Sequence, residues 1–128
     1  MKRTLATICV TLTLLLGSSG ISWSADFQKG LTAAESGDYA TALREWTPLA
    51  EQGNTLAQFN LGVMYDNGRG VLQDYVRANM WFNIAASSGD SENASKNRDI
   101  VAKRMTPSQI ETAQRLAQEC VSKNYKGC

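Results

Sequence analysis

Side chains suited to acid–base or nucleophilic chemistry are scarce in this sequence. Its 128 residues include no histidine and only three cysteines. Serine stands directly beside lysine at Ser95-Lys96 and Ser122-Lys123, whereas acyl transfer needs a Ser-x-x-Lys spacing that places both groups on one helix face. Asp66 and Asp74 lie where helices are expected to end and begin, which explains them as turn and cap residues. The sequence therefore favours a binding protein without catalytic activity over an enzyme.

The first 24 residues have the composition of a secretory signal peptide. Lys2 and Arg3 precede an apolar run that ends at Leu16, and small residues follow it. Such a run is too short to cross a bilayer as a stable helix, which needs ~20 residues. We expect cleavage after Ser24 or Ala25, a periplasmic or secreted location, and no stable membrane span after cleavage.

Removal of that segment leaves two cysteines, Cys120 and Cys128. An oxidising compartment favours an internal bridge between them over a pair of free thiols or an intermolecular link. Two thiolates without a histidine do not complete a zinc site of four ligands. We therefore predict a Cys120–Cys128 disulfide, and neither a metal nor a cofactor.

The elements that must position any functional residue are helices that repeat. Five residues of one segment recur 36 positions later, and an earlier glycine, Gly30, corresponds to Gly62 at a shorter offset. The second unit therefore has a turn four residues longer. Repeats of 20 to 50 residues made of helix pairs form solenoids, in which each unit buries its face against the next. The recurring pairs are Asp38 and Asp74, Tyr39 and Tyr75, Ala42 and Ala78, Ala50 and Ala86, and Gly53 and Gly89.

The repeat decays after Gly89. A polar link leads to a helix in which Arg98 and Asp99 stand where the second unit has Leu61 and Gly62. A strong helix start follows at 106–109, with threonine as cap, proline at the first helical position and glutamine three residues after the cap. A polar, degenerate last unit suits the open end of a solenoid.

The second unit resembles a Sel-one-like repeat, the longer-turned relative of the tetratricopeptide repeat, and the first unit is closer to a plain tetratricopeptide unit. The matching residues are Ala57, Leu61, Gly62, Tyr65, Gly68, Gly70, Val71, Asp74, Ala78, Trp81, Ala85, Ala86 and Gly89. The resemblance implies an all-α fold, a short right-handed α-solenoid of helix hairpins with a C-terminal capping helix pair. It also implies binding of protein partners through a groove lined by the first helix of each pair.

This organisation divides the chain into four parts. We assign a signal peptide to 1–24, a first tetratricopeptide-like helix pair to 25–54, a Sel-one-like repeat to 55–89, and degenerate capping helices with a disulfide-closed tail to 90–128.

The candidate groove lies on one side of the helix that carries Leu61. Phe59 and Val63 fall opposite its main apolar stripe, so that helix is apolar nearly all round and needs cover or a ligand on both sides. Phe27 and Leu31 hold the matching positions one unit earlier, and Asp66 is a candidate for the polar rim. Packing of Phe59 and Val63 against the first hairpin is the competing interpretation.

These features predict a scaffold or regulatory binding module for a protein or peptide partner in the cell envelope. One alternative is a cell-wall or β-lactam-directed hydrolase or binder, which the resemblance raises because some secreted relatives are linked to penicillin binding. Another is an anion-binding role, since seven of the ten charges after Ser95 are basic. Its candidate residues are Lys96, Arg98, Lys103 and Arg104. An export signal and a near-neutral balance disfavour nucleic acid.

Overall fold

The computed structural model describes residues 25–88 and 92–128, and these form six helices without a strand. The predicted signal peptide lies outside the described residues, as does part of the link after the second hairpin. The all-α helical repeat fold is confirmed. The helices are α1 (Phe27–Glu35), α2 (Tyr39–Glu51), α3 (Thr55–Asn67), α4 (Tyr75–Ser87), α5 (Glu92–Ala102) and α6 (Pro107–Ser122).

Polar side chains at the predicted positions begin the helices. The Asp38 carboxylate accepts from the Thr41 backbone N–H, and the Asp74 carboxylate accepts from the Arg77 N–H. At the start of α6, Thr106 and Gln109 each accept from the other's backbone N–H, which completes the predicted capping box. These contacts satisfy donors that the first turn of a helix leaves free, so local sequence sets the helix boundaries.

The turn of the second hairpin is the longer one, as predicted. Residues 36–38 join α1 to α2, whereas residues 68–74 join α3 to α4. Gly68 ends α3 in the left-handed region with φ of 63°, a conformation that is costly for other residues. A Cβ on Gly70 would lie 3.0 Å from the Tyr39 carbonyl oxygen. The long turn therefore packs closely on the first hairpin.

One packing unit occurs in both hairpins, a glycine on the first helix that faces a ring on the second. A Cβ on Gly30 would lie within 2.4 Å of Trp46 Nε1, and a Cβ on Gly62 within 2.6 Å of Phe82 Cε1. Trp46 and Phe82 are themselves equivalent at the 36-residue offset. Each glycine therefore makes room for an aromatic ring.

The last two helices do not repeat this arrangement. α1 packs on α2 and α3 on α4, but α6 packs on α4 rather than on α5. Its buried stripe of Ala113, Ala117 and Cys120 lies against α4. No local pattern in α5 or α6 predicts this placement.

The predicted disulfide between Cys120 and Cys128 is present. The Tyr125 N–H donates to the Cys120 carbonyl, and the Tyr125 ring lies against Gly53 between the two hairpins. Asn124 and Tyr125 adopt positive φ angles of 52° and 64°. The bridge therefore closes a bent tail that contacts the junction of the first two units.

Candidate partner-binding face

The two aromatic residues of the predicted groove contact the rings that fill the glycine sites. The Phe27 ring centroid lies 5.8 Å from that of Trp46, and the Phe59 centroid lies 5.6 Å from that of Phe82. Both phenylalanines are half-buried. Part of each ring thus belongs to the packing within its hairpin, and its remainder is exposed.

The two aliphatic residues of the predicted groove are also half-buried. Leu31 packs on the larger core, and Val63 packs on a smaller cluster formed by Ala78, Phe82 and Val101. That cluster joins α3 to α4 and α5. One interpretation of the sequence was that Val63 packs on the first hairpin. In the structure, the buried side of Val63 faces α4 and α5 instead.

Asp66, the predicted rim residue, is engaged within the chain. Its Oδ1 accepts from Arg104 Nη1 at 3.3 Å, and only 16% of its side chain is exposed. The Arg104 guanidinium also lies 5.8 Å from the Tyr75 ring centroid. The pair links the end of α3 to the end of α5, so Asp66 holds two units together.

Two exposed apolar residues lie on the first helices: Ile100 is at a repeated position, and Leu56 lies two turns before Val63 on the same side of α3. Leu56 is 57% exposed and Ile100 is 40% exposed. Leu31, Val63 and Ile100 each directly follow the equivalent positions 30, 62 and 99. We call Leu31, Leu56, Val63 and Ile100 the first-helix face. Ile100 was not among the predicted site residues. The alignment of Asp99 with Gly62 nevertheless places Ile100 at the position equivalent to Val63.

Amide side chains accompany this face. Gln28, Asn60 and Asn97 each stand three residues before its aliphatic members on α1, α3 and α5, so they lie on the same side of each helix. Gln28 is exposed, and the other two are half-buried. The Asn97 amide nitrogen donates to the Asn93 carbonyl. The face therefore carries apolar and amide side chains, and Lys96 lies one turn before Ile100 on the same side of α5.

The carboxylates with shifted pKa values have structural explanations. Hydrogen bonds from the Thr41 hydroxyl and backbone N–H lower the pKa of Asp38. The Asp26 backbone N–H, with Lys29 beside it, lowers the pKa of Glu45. Asp38 begins α2 and Glu45 lies in the middle of α2, and neither lies on the first-helix face.

The described residues contain neither a candidate metal site nor a candidate membrane span. Across 25–88 and 92–128, no three of the His, Cys, Asp and Glu side chains are grouped so as to hold a metal ion. Within the same ranges, no helix has both the length and the apolar character needed to cross a bilayer.

Comparison with known proteins places the second hairpin in a family. The family model for the Sel1 repeat, the Sel-one-like repeat of the sequence analysis, matches residues 55–90. The crystal structure of a protective antigen from uropathogenic Escherichia coli strains, described as displaying an SLR (Sel1-like repeat) fold, is similar with 30% identity and a TM-score of 0.68. The similarity covers 77% of this chain but 23% of that protein. No curated protein matches the chain in sequence.

Proposed function

This chain is a Sel1-like repeat protein, and we propose that it is an exported, non-catalytic protein-binding module that captures its partner on the first-helix face. Sel1 repeats and the SLR fold suggest a protein–protein interaction module in general terms. The similarity covers less than a quarter of the antigen's length. The antigen's partner and location therefore do not enter this proposal.

The exposed aliphatic row across α1, α3 and α5 carries the proposal. Leu56 and Ile100 expose 57% and 40% of their surfaces and lie on the same side as Val63, where apolar area remains to be covered. A few well-packed residues near the centre of an interface contribute most of its binding energy.

Substitution at the exposed residues tests this proposal better than substitution of Phe59 or Val63, which also support packing. Leu56→Asp and Ile100→Asp each place a charge on the first-helix face without entering the core. Leu72→Asp is the matched control, because Leu72 is 91% exposed on the turn between α3 and α4.

The measurement is crosslinking pull-down from the cell-envelope fraction, with mass-spectrometric identification. We expect the two face variants to lose the captured partner and the Leu72 variant to keep it, while circular dichroism shows all three to be folded. Equal capture by all variants would refute the first-helix face as the binding surface.

The proposal also includes export and the absence of catalysis, both supported by the sequence. N-terminal sequencing of protein from the periplasmic fraction is expected to begin at Ala25 or Asp26. Turnover of β-lactams or muropeptides by the purified protein would contradict the non-catalytic assignment.

A further inference from the structure

Two hydrogen bonds hold the start of α1 against the middle of α2. The Asp26 backbone N–H donates to Glu45 Oε2 at 3.0 Å, and Trp46 Nε1 donates to the Phe27 carbonyl at 3.2 Å. Two consecutive residues of one segment thus contact two consecutive residues of the other. Trp46 is 4% exposed and its ring lies in the space beside Gly30, so this end of the first hairpin is fixed by the core.

The backbone of Asp26 is held by its own helix as well. Its Oδ1 accepts from the Lys29 N–H at 3.1 Å, and its carbonyl accepts from the Gly30 N–H at 3.1 Å. The side chain and the carbonyl of Asp26 therefore both bond the first turn of α1. Its backbone nitrogen is the group that contacts Glu45.

Glu45 places a partly enclosed negative charge at that nitrogen. Its side chain is 12% exposed, and its Oε1 lies 3.3 Å from Lys29 Nζ. The hydrogen bond from the Asp26 N–H lowers the pKa of Glu45 most, and the positive charges of Lys29 and Arg44 act in the same direction. The carboxylate is therefore ionised at neutral pH, and it would bind a charged donor at this position more strongly than a neutral one.

Removal of the leader changes the chemistry of the nitrogen when the cut precedes Asp26. Hydrolysis of the Ala25–Asp26 peptide bond by a leader-cleaving peptidase consumes one water. The Ala25 carbonyl becomes a carboxylic acid, and the proton that this acid releases converts the Asp26 amine to an ammonium. A cut after Ser24 would instead leave Asp26 as an amide and place the ammonium one residue away, about 3.8 Å along the chain.

We infer that the chain is processed between Ala25 and Asp26, and that the new terminal ammonium of Asp26 forms an ion pair with Glu45. The inference rests on the export proposed above. A hydrogen bond from a charged donor is roughly twice as strong as one from a neutral amide. The Glu45 carboxylate also offsets the repulsion between an ammonium and the positive end of the α1 dipole. Removal of the leader thus fastens α1 to α2.

This ion pair bears on partner binding because α1 carries Leu31, a member of the first-helix face. α1 packs mainly on α2, so contacts with α2 set the position of Leu31 in that face. The ion pair adds a contact that the unprocessed chain lacks. The first-helix face is therefore completed only after the leader has been removed.

The first measurement is N-terminal sequencing of protein that is processed from the full chain and recovered from the periplasmic fraction. A sequence that begins Asp-Phe-Gln-Lys supports the inference, and one that begins at Ala25 overturns it. Retention of the whole leader would refute export and this inference together.

The second measurement is the rate at which an N-hydroxysuccinimide ester acetylates the α-amine at pH 7, followed by mass spectrometry of the N-terminal peptide. Only the uncharged amine reacts, so pairing with Glu45 should slow the reaction about fivefold relative to the free peptide Asp-Phe-Gln-Lys-Gly. This comparison with the peptide does not depend on the folding of any variant. A rate equal to that of the peptide would overturn the ion pair while leaving export intact.

Two variants of the processed protein assign the slow reaction to Glu45. Glu45→Gln should restore most of the peptide's rate in protein that circular dichroism shows to be folded. Glu35→Gln is the matched control, because Glu35 is exposed at the other end of α1, and it should react as slowly as the unsubstituted protein. A reaction that stays slow in Glu45→Gln would mean that burial of the amine protects it, and would overturn the inference.

Discussion

The second hairpin and the C-terminal helices differ in how their two helices meet. In the second hairpin, Gly62 leaves space that the Phe82 ring fills, and α3 packs along α4. At the equivalent position of α5 stands Asp99, whose side chain is 67% exposed. Without the glycine there is no site for a ring, and α6 packs on α4 instead of α5. The second hairpin thus has both the glycine and the ring, whereas α5 and α6 have neither.

The largest expected effect comes from filling the glycine site. Gly62→Ala places a Cβ 2.6 Å from the Phe82 ring, and the overpacking should lower the free energy of unfolding by about 2 kcal/mol. That cost exceeds the gain of about 1 kcal/mol in helix propensity. Chemical denaturation measures the difference.

The matched control for that substitution is Asp99→Ala. It should be neutral or stabilising by a few tenths of a kcal/mol, because alanine is the better helix former and the surface pair of Arg98 with Asp99 contributes little. Adding Phe82→Leu to Gly62→Ala should cost less than the sum of the two single changes. Destabilisation of equal size at positions 62 and 99 would remove the distinction between the hairpin and the cap.

A smaller effect is expected from opening the C-terminal bridge. Cys120 and Cys128 are 8 residues apart. Loop-closure entropy then contributes about 2.5 kcal/mol. The left-handed conformation of Tyr125 offsets about 1 kcal/mol of this. Cys128→Ala should therefore reduce the free energy of unfolding by about 1–2 kcal/mol.

Hydrogen exchange should show where the stability lost on opening the bridge resides. We expect faster exchange in the last turn of α6 and unchanged protection of α3 and α4. Equal loss of protection in α3 would mean that the tail supports the central hairpin as well as the cap.

The smallest expected effect is a loss of stability at low pH that arises in the first hairpin. The pKa values of Asp38 and Glu45 are lowered in the folded state, so their contribution to stability is present above the ordinary pKa values of about 4. It is lost as the pH falls through the lower, folded pKa values. The Asp38→Asn, Glu45→Gln double variant should therefore lose less stability than the unsubstituted protein between pH 5 and 2. Denaturation curves across that range measure this, and identical slopes would contradict it.

Most of the fold follows from local patterns, but the candidate site follows only in part. The 36-residue offset and the cap residues led to the helix pairs and to the longer second turn. The predicted groove residues Phe27, Leu31, Phe59 and Val63 are each half-buried, and whether they contact a partner stays a prediction. Helical periodicity assigns a residue to a side of its own helix, but it does not say which neighbour covers that side.

Ion pairs between distant residues also could not be predicted from local sequence patterns. Asp66 looked like a rim residue, yet it binds Arg104, 38 positions along the chain. The nearest signal was the repeat register, which puts these residues at the ends of successive first helices. A pair between exposed termini depends on how far one unit is rotated from the next, and that rotation is set by the packed rings and glycines.

The sequence by itself determined the helices, their caps, the glycine at the end of α3 and the pair of cysteines that can meet. These features depend on hydrogen bonds and dihedral preferences within a few residues. Only the tertiary structure decided that Phe82 fills the space at Gly62, that α6 packs on α4, and that Leu56 and Ile100 remain exposed. Such outcomes depend on which distant surfaces bury the most apolar area together, and no single segment contains that information.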